Sequence, residues 1–268
     1  MKNLRRNLLK SAAGIFSYSC ACSAFSWPKD VFKDEDEEIN HTQSKKRSDS
    51  FVNIGCALQG FNGFGENGIK TSNTTGFYPL DAGINVEYNY LCNHFQVRPG
   101  FLMFEDNGAG NAFATTQKIG NHRLPDGTVL FGLTLMREEF ANAGKNWGRG
   151  DHAMMAIMAH EWAHIYQFKQ QVKPIPGKAM ELQADALAGW FMGIRAQELQ
   201  QYMQVDLSTA MSTFFKKGDY EINSPQHHGT PKERLVHFSH GIGMAMEKMS
   251  LPKAFAESSK LTRVETRK

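Results

Sequence analysis

The second half of the chain contains two long segments with helical composition. Residues 152–170 and 178–203 are rich in Ala, Met, Leu, Gln and Glu, and the prolines of this region lie in the break between them. Those residue types favour helices, whereas proline interrupts them. We therefore predict a helix over each segment, with Asp151 as the N-cap of the first. Two shorter helices are expected over 207–215 and 232–249.

The first half of the chain has a different texture. Between residues 51 and about 135, short apolar stretches such as 83–91 and 101–104 are cut by Gly and Asn. A Pro-Asp-Gly turn signal also precedes the apolar run 128–133. These features predict strands and loops. We expect one α+β domain over 51–268, with a strand-rich N-terminal half and a helical C-terminal half.

The N-terminal 26 residues have the layout of a secretory signal. A basic start is followed by a mostly apolar run that ends in small residues, and we expect cleavage of residues 1–26 on export. The run Arg5-Arg6-Asn7-Leu8-Leu9-Lys10 also resembles a twin-arginine signal, with Leu8 where Phe is usual, so both export routes stay open. Residues 27–50 carry an acidic and then a basic block, which predicts a solvated linker. The expected location is periplasmic or secreted.

Charge and cysteine content limit the possible partners. The formal charge is +3, but four basic residues lie within the first ten positions, and without them 26 Lys and Arg face 27 Asp and Glu. A near-neutral body gives no reason to expect nucleic-acid binding, which normally needs a clear basic patch or stripe. The N-terminal apolar run is too short and too rich in Ser for a bilayer span, so we expect none in the mature chain. Beyond the signal, Cys56 and Cys92 either form one disulfide or are two buried thiols.

The first long helix carries the motif His160-Glu161-Trp162-Ala163-His164. Four residues of α-helix return the two imidazoles to one face, one turn apart, so both can reach a single ion. Glu161 points to an adjoining face, where it can act on a water molecule at that ion. This spacing recurs in zinc hydrolases, although two exposed histidines on a helix remain the alternative.

A catalytic zinc site needs a third protein ligand and one open position. Glu181 and Asp185 lie four residues apart on the second predicted helix, which is otherwise mostly apolar. An antiparallel helix pair joined by the 174–177 loop would bring them against the two histidines. One carboxylate would bind the ion and the other would accept the second ring N–H of a ligand histidine. Helical geometry permits either assignment, and the longer Glu side chain favours Glu181 as the ligand. The alternative is an exposed polar stripe.

His-Glu-x-x-His followed by Glu-Leu-x-Ala-Asp resembles the motif pair of the glutamate-zincin peptidases. Two groups are similar: the family of prenyl-protein endopeptidases and heat-shock membrane proteases, and a group of neutral zinc metallopeptidases. The resemblance spans about 111–234 and includes Asn111-Ala112-Phe113-Ala114, Asp126-Gly127-Thr128 and His228-Gly229-Thr230-Pro231-Lys232-Glu233-Arg234. The first group usually has His-Pro where this chain has His228-Gly229, as the second group does. The membrane helices of the first group are absent, which implies a soluble relative.

The resemblance implies a zincin-like domain holding one Zn²⁺, and it assigns roles by position. Its ligands would be His160, His164 and Glu181, the general base would be Glu161, and Asp185 would orient a ligand imidazole. The strand over 128–135 would offer its edge to an extended peptide. His228 would donate a hydrogen bond to the oxyanion and Arg234 would support that loop, unless they are a loop histidine and a surface arginine. His227 is an equal candidate by chemistry and is set aside by alignment alone.

The expected function is therefore a zinc metalloendopeptidase that hydrolyses peptide bonds in a peptide or protein substrate. The alternative is a zinc-binding chaperone or assembly factor of the cell envelope with little turnover. A zinc-free structural protein is a third hypothesis. The residue pattern does not separate the first two hypotheses. All the residues that catalysis would need, Glu161 included, are present in this chain, and a zinc-binding chaperone could retain them.

Overall fold

The structure is a computed structural model that describes residues 54–55, 70–106, 110–120, 122–145, 150–172, 177–200, 205–218 and 228–263. The predicted export signal, the predicted linker and Cys56 lie outside these residues. Cys92 is a buried free thiol. The elements run in the order β1 Ile54–Gly55, β2 Thr71–Ser72, α1 Tyr78–Phe95, β3 Gly100–Phe104, β4 Ala112–Thr115, β5 Thr128–Gly132, α2 Leu133–Lys145, α3 Gly150–Lys169, α4 Lys178–Leu199, α5 Leu207–Lys216, α6 Pro231–Met246 and α7 Leu251–Thr262.

The fold is α+β and mostly helical, with a small mixed sheet. The strand order is β1-β4-β5-β3-β2, in which β3 and β5 are parallel and the other neighbouring pairs are antiparallel. All five residues of β5 are buried. The strands predicted around 101–104 and 128–133 are confirmed as β3 and β5.

The expectation that the strand beginning at Thr128 presents a free edge is wrong. β5 is paired along its length with β3 on one side and with β4 on the other. The chain also leaves the sheet at Leu133, where α2 begins. Within the described residues, β4 and β3 each have an incompletely paired side, because β1 pairs only with Ala114 and Thr115 of β4 and β2 pairs only with Met103 and Phe104 of β3.

The strand-rich N-terminal half is also corrected, because residues 83–91 lie in α1. Ile84, Val86, Tyr88 and Tyr90 alternate with other residues as in a strand. The buried positions instead follow helical spacing, and Pro79 lies in the first turn, where its fixed φ suits a helix. The buried residues of α1 are Leu80, Gly83, Ile84, Glu87, Leu91, Cys92 and Phe95.

Helix α3 lies at the centre of the domain. It packs against β4 and β5 on one side and against α1, α2, α4 and α5 on the others, and nearly all of its residues are buried. Trp162 is fully enclosed, with its ring 5.6 Å from that of Phe101 and 5.5 Å from that of Tyr88. The helix begins one residue before the expected N-cap, so Asp151 lies in its first turn. Polar side chains of α3 are therefore held in the core, where each needs a partner.

The other predicted helices are confirmed with small changes of boundary. The second long helix ends at Leu199, and the last predicted helix, over 232–249, is α6, which ends at Met246. Helix α7 lies beyond it and was not predicted. Helices α4 and α6 meet backbone to backbone. A Cβ added at Gly189 would lie 1.9 Å from the carbonyl oxygen of Phe238, and one added at Gly241 would lie 1.9 Å from that of Ala186. This close approach fixes the position of α6 relative to α4.

Among the described residues, no helix combines the length and the apolar composition that a bilayer crossing requires.

Candidate metal centre

Helix α3 holds His160 and His164 one turn apart on the same face. Their ring centroids are 4.6 Å apart with the ring planes perpendicular, and their Nε2 atoms are 3.0 Å apart. Both side chains are buried. The two Nε2 atoms therefore face one point, as the four-residue spacing predicts.

Helix α4 runs antiparallel to α3 and brings Glu181 to this point. Its Oε2 atom lies 3.2 Å from Nε2 of His160, and its Oε1 atom lies 3.3 Å from Nε2 of His164. One ligand atom from each of the three residues lies within 4.8 Å of the others. Burial alone would raise the pKa of Glu181, but the two imidazoles, which donate from Nε2 to it when no cation is bound, hold it well below its ordinary value. This group, His160, His164 and Glu181, is called the metal triad below.

Asp185 fixes the outer nitrogen of His160. Its Oδ1 atom lies 2.9 Å from Nδ1 of His160, one turn further along α4 than Glu181. Because an ionised carboxylate only accepts hydrogen bonds, Nδ1 of His160 carries the proton and Nε2 presents its lone pair to the triad. The geometry thus separates the two carboxylates: Glu181 faces both Nε2 atoms, whereas Asp185 contacts Nδ1.

Arg234 holds Asp185 from the first turn of α6. Its Nε donates to Oδ2 at 2.8 Å and its Nη2 donates to Oδ1 at 2.7 Å. Such bidentate, charge-assisted hydrogen bonds are among the strongest in proteins. Its Nη1 also donates to the carbonyl oxygen of Lys217. Burial would raise the pKa of Asp185, but the Arg234 guanidinium keeps it below its ordinary value. Arg234 thus acts on Asp185, a contact that sequence analysis did not predict.

Glu161 is buried beside the triad. Its Oε2 atom has no hydrogen-bond partner among the described residues, and burial raises the pKa of its carboxyl against the opposing effect of His160 and His164. A buried carboxyl oxygen without a partner is costly, and it is typical of functional sites. The side chain is therefore available to a water molecule or a substrate.

Aromatic rings line the triad. The Phe214 ring of α5 lies 5.7 Å from the His160 ring and under the Arg234 guanidinium, 5.5 Å from the centroid. The Phe168 ring stacks on His164 at 6.5 Å. These apolar neighbours lower the local polarity, which strengthens electrostatic interactions within the site.

The structure places His228 in the short segment before α6, half-buried. Its neighbour Gly229 has φ of +104°, and a Cβ there would lie 2.9 Å from Cδ2 of Leu182 and 3.4 Å from Cγ of Arg234. This segment therefore packs against residues that adjoin Glu181 and Asp185. His227 lies outside the described residues.

The remaining described histidines are not part of the triad. His94 contacts Glu198, His122 contacts Thr128, and His152 accepts a hydrogen bond from the backbone N–H of Asp206. Within the described residues, the triad is the single group of three His, Cys, Asp or Glu side chains with metal-ligand spacing.

Sequence analysis missed Gln167, whose Oε1 atom lies 2.8 Å from Nδ1 of His164. It lies three residues after that histidine and so shares its face of α3, a spacing that could have revealed it. Nothing in the local pattern indicates Phe214, which reaches the site from another helix.

Comparisons with protein-family models, with curated proteins and with solved structures return no match for this chain. The resemblance to glutamate-zincin peptidases therefore rests on the motifs quoted above, and any functional conclusion rests on the geometry of the site.

Proposed function

We propose that this chain is a zinc-dependent endopeptidase of zincin-like architecture, with the metal triad as its ligands and Glu161 as its general base. The observation that carries this proposal is the convergence of two Nε2 atoms and two carboxylate oxygens on one buried point. Both Nδ1 atoms lie at hydrogen-bond distance from side-chain oxygens of Asp185 and Gln167.

The chemistry of the donor set favours a cation at this point. With each Nδ1 donating to an oxygen, the two Nε2 atoms and Glu181 together offer lone pairs and no proton. The two Nε2 atoms are 3.0 Å apart and each lies 3.2 or 3.3 Å from an oxygen of Glu181, and acceptors this close repel unless a positive charge lies between them. Two imidazoles and one carboxylate form the ligand set of a catalytic zinc site that retains an open position.

In the proposed hydrolysis of a peptide bond, each site residue would have a distinct role. A zinc ion supplies a Lewis acid that polarises the carbonyl and lowers the pKa of the attacking water. Glu161 would take a proton from that water and return it to the leaving amine. Asp185 would hold the His160 ring in place, and the apolar wall around Phe214 would limit access of bulk water. His228 would donate a hydrogen bond to the developing oxyanion.

Export is part of the proposal. The N-terminal pattern favours a periplasmic or secreted enzyme that acts on peptides or proteins. Its support is the sequence of residues 1–26, since they lie outside the described residues.

The decisive experiment is digestion of a peptide library by the wild type and by Glu161→Gln, each with and without chelator. The wild type is expected to cleave peptides, and cleavage should stop when the chelator removes the metal. Glu161→Gln should keep stoichiometric zinc and the wild-type melting temperature while cleavage falls to background. Zinc binding without cleavage by the wild type would favour the envelope chaperone instead. Purified wild type that binds no zinc would favour the structural protein.

A further inference from the structure

A chain of buried side-chain amides lies behind His164. Gln167 Nε2 donates to Oε1 of Gln183 on α4 at 2.9 Å, and Gln183 Nε2 donates to Oγ of Ser259 on α7 at 2.7 Å. Longer contacts of 3.4 Å link Gln183 to Ser258 and to the carbonyl oxygen of Phe255. Both glutamines are fully buried. The chain therefore connects the metal triad to the C-terminal helix.

Backbone carbonyls fix the direction of every hydrogen bond in this chain. Ser259 Oγ donates to the carbonyl oxygen of Phe255 at 2.7 Å, so its lone pair faces Gln183. Gln167 Nε2 also donates to the carbonyl oxygen of Met180 at 3.0 Å. Because carbonyl oxygens can only accept, the amide nitrogen of each glutamine must face its carbonyl.

The amide of Gln167 cannot be reversed without loss. Its two N–H groups are used by Met180 and Gln183, and its oxygen faces Nδ1 of His164. A flipped amide would direct its oxygen at two acceptors and its N–H groups at the imidazole. Unpaired buried polar groups cost about 1–3 kcal/mol each. Nδ1 of His164 therefore carries the proton, and Nε2 keeps its lone pair toward the triad.

We propose that Gln167, Gln183 and Ser259 form a positioning unit that sets the tautomer and ring orientation of His164, so that α7 belongs to the metal centre. This inference rests on the proposed function only in taking the triad as a metal site. It gives the two histidines different supports: His160 is held by an ionised carboxylate, and His164 by a neutral amide chain. The neutral chain adds no further negative charge to the buried site, which already holds three carboxyl groups.

The first test compares Gln183→Met with Gln197→Met. Gln197 lies on the same helix and donates to the carbonyl oxygens of Gly193 and Ala245, but it has no contact with the amide chain. Zinc affinity is measured by competition with a chelator of known affinity on folded protein. Loss of a partner behind a metal ligand typically weakens binding about 10 to 100-fold. We expect that change for Gln183→Met and affinity within twofold of wild type for Gln197→Met.

The second test uses two serines with the same local hydrogen bond. Ser259 and Ser239 each donate to the carbonyl oxygen four residues earlier, at 2.7 and 2.8 Å, and only Ser259 also accepts from a glutamine. Both side chains are small and lie on helices. Ser259→Ala should weaken zinc binding several-fold, whereas Ser239→Ala should not change it. This pair decides the matter if Gln183→Met does not fold.

A direct readout of the tautomer is the ¹⁵N spectrum of the His164 ring in zinc-free protein. The wild type should show the proton on Nδ1, and Gln183→Met should show a mixture of tautomers. Wild-type affinity in both Gln183→Met and Ser259→Ala, or an unchanged tautomer, would overturn the positioning unit and leave the proposed function intact. Failure of the wild type itself to bind zinc would instead overturn the proposed function.

Discussion

Helix α4 carries two buried charged clusters that differ in one respect. Near its C-terminal end, Arg195 pairs with Glu87 of α1 through Nε–Oε1 and Nη2–Oε2 distances of 3.2 and 3.3 Å. Its Nη1 contacts Glu198, and its guanidinium lies 3.7 Å from the centroid of the Tyr90 ring. The protein itself supplies the permanent positive charge that these carboxylates require.

Near the other end of α4, negative charge exceeds the positive charge that the protein supplies. Glu161, Glu181 and Asp185 are all buried, and the guanidinium of Arg234 is committed to Asp185. Nη2 of Arg234 lies 3.9 Å from Oε2 of Glu181 but 2.7 Å from Oδ1 of Asp185. The two histidines add positive charge only if they take up protons.

The contrast shows how a structural charge cluster differs from a candidate metal site. A buried ion pair is tolerable when its charges are matched and fully hydrogen-bonded. The cluster around Arg195 approaches this condition with side chains alone, because the guanidinium contacts both Glu87 and Glu198, although burial still raises the pKa of Glu87 against the effect of Arg195. The cluster around the triad meets it when a dication joins Glu181 and the two imidazoles. A buried carboxylate without a matching positive charge, beside two imidazole lone pairs, is thus a better indicator of a metal site than a buried ion pair.

The largest expected effect is that of Glu181→Ala, which deletes a direct ligand. This variant should lose both zinc and hydrolysis. In the wild type, chelation should lower the free energy of unfolding by about 4 kcal/mol relative to protein with zinc at 1,000 times its Kd. Chelator should have no such effect on the variant. Metal analysis and thermal unfolding with and without chelator measure both. Tight zinc binding by Glu181→Ala together with no zinc binding by Asp185→Asn would reverse the roles assigned to the two carboxylates.

Glu87→Ala should destabilise the fold by about 3–5 kcal/mol, because it leaves Arg195 buried with an incomplete set of partners. Zinc stoichiometry of the folded protein should not change. Urea unfolding in the presence of chelator measures the loss. The double variant Glu87→Leu with Arg195→Met should recover much of it, since an apolar pair needs no counter-charge. Loss of zinc from folded Glu87→Ala protein would contradict the separation of the two clusters.

His228→Ala tests whether a third imidazole belongs to the cluster around the triad. Loss of one oxyanion donor typically slows turnover about 10²-fold or more, and zinc should stay in place because His228 is proposed not to be a ligand. Steady-state kinetics and metal analysis on the same preparation give the answer. Loss of metal in this variant would make His228 a ligand and the proposed set wrong.

Asp185→Asn should weaken zinc binding by about 10 to 100-fold, with recovery at higher zinc concentration. The neutral amide is a poorer acceptor for Nδ1 of His160, and it leaves the Arg234 guanidinium without its counter-charge. Chelator competition measures the affinity. An unchanged affinity would mean that the orientation of His160 does not depend on Asp185.

The smallest expected effect is at the exposed pair Lys178–Glu233, whose side chains are 40% and 37% exposed. Although partial burial opposes it, Lys178 and Thr230 lower the pKa of Glu233 from 4.5 to about 2. Because the folded pKa is the lower one, the contribution to stability is present above pH 4.5 and is lost as pH falls toward 2. Glu233→Gln should remove this acid-sensitive part, at most about 1 kcal/mol after solvent screening. Urea unfolding at pH 6 and pH 3 measures it, and an equal loss at both pH values would contradict this origin.

The metal triad could be predicted because each part of it is a local pattern. His160 and His164 share a face through helical spacing, and Glu181 stands on the next helix after a short break. Asp185 was expected behind a ligand histidine, and it contacts Nδ1 of His160. What joins these residues to the rest of the domain is not local. Glu87 and Arg195 are 108 positions apart, and Gln183 and Ser259 are 76 apart.

The fold was predictable to the same extent. The long helices α3 and α4 follow from composition and from the prolines between them. Helix α1 was mistaken for strand because alternation of aromatic and β-branched residues from Ile84 to Tyr90 masks a helical set of buried positions. Tertiary packing selects the helix over the strand, since the helix lets Glu87 reach Arg195 and Phe95 reach Phe191.

The backbone contact between α4 and α6 reverses a common rule of protein stabilisation. Replacing a helical glycine by alanine usually gains up to about 1 kcal/mol from helix propensity. At Gly189 and Gly241 the added methyl group would meet a carbonyl oxygen of the facing helix, so the substitution would spread the two helices. Gly243, on the same helix as Gly241, has open space at its Cβ position and can accept alanine. An engineer seeking a more heat-resistant variant would begin at Gly243 and leave the helix contact unchanged.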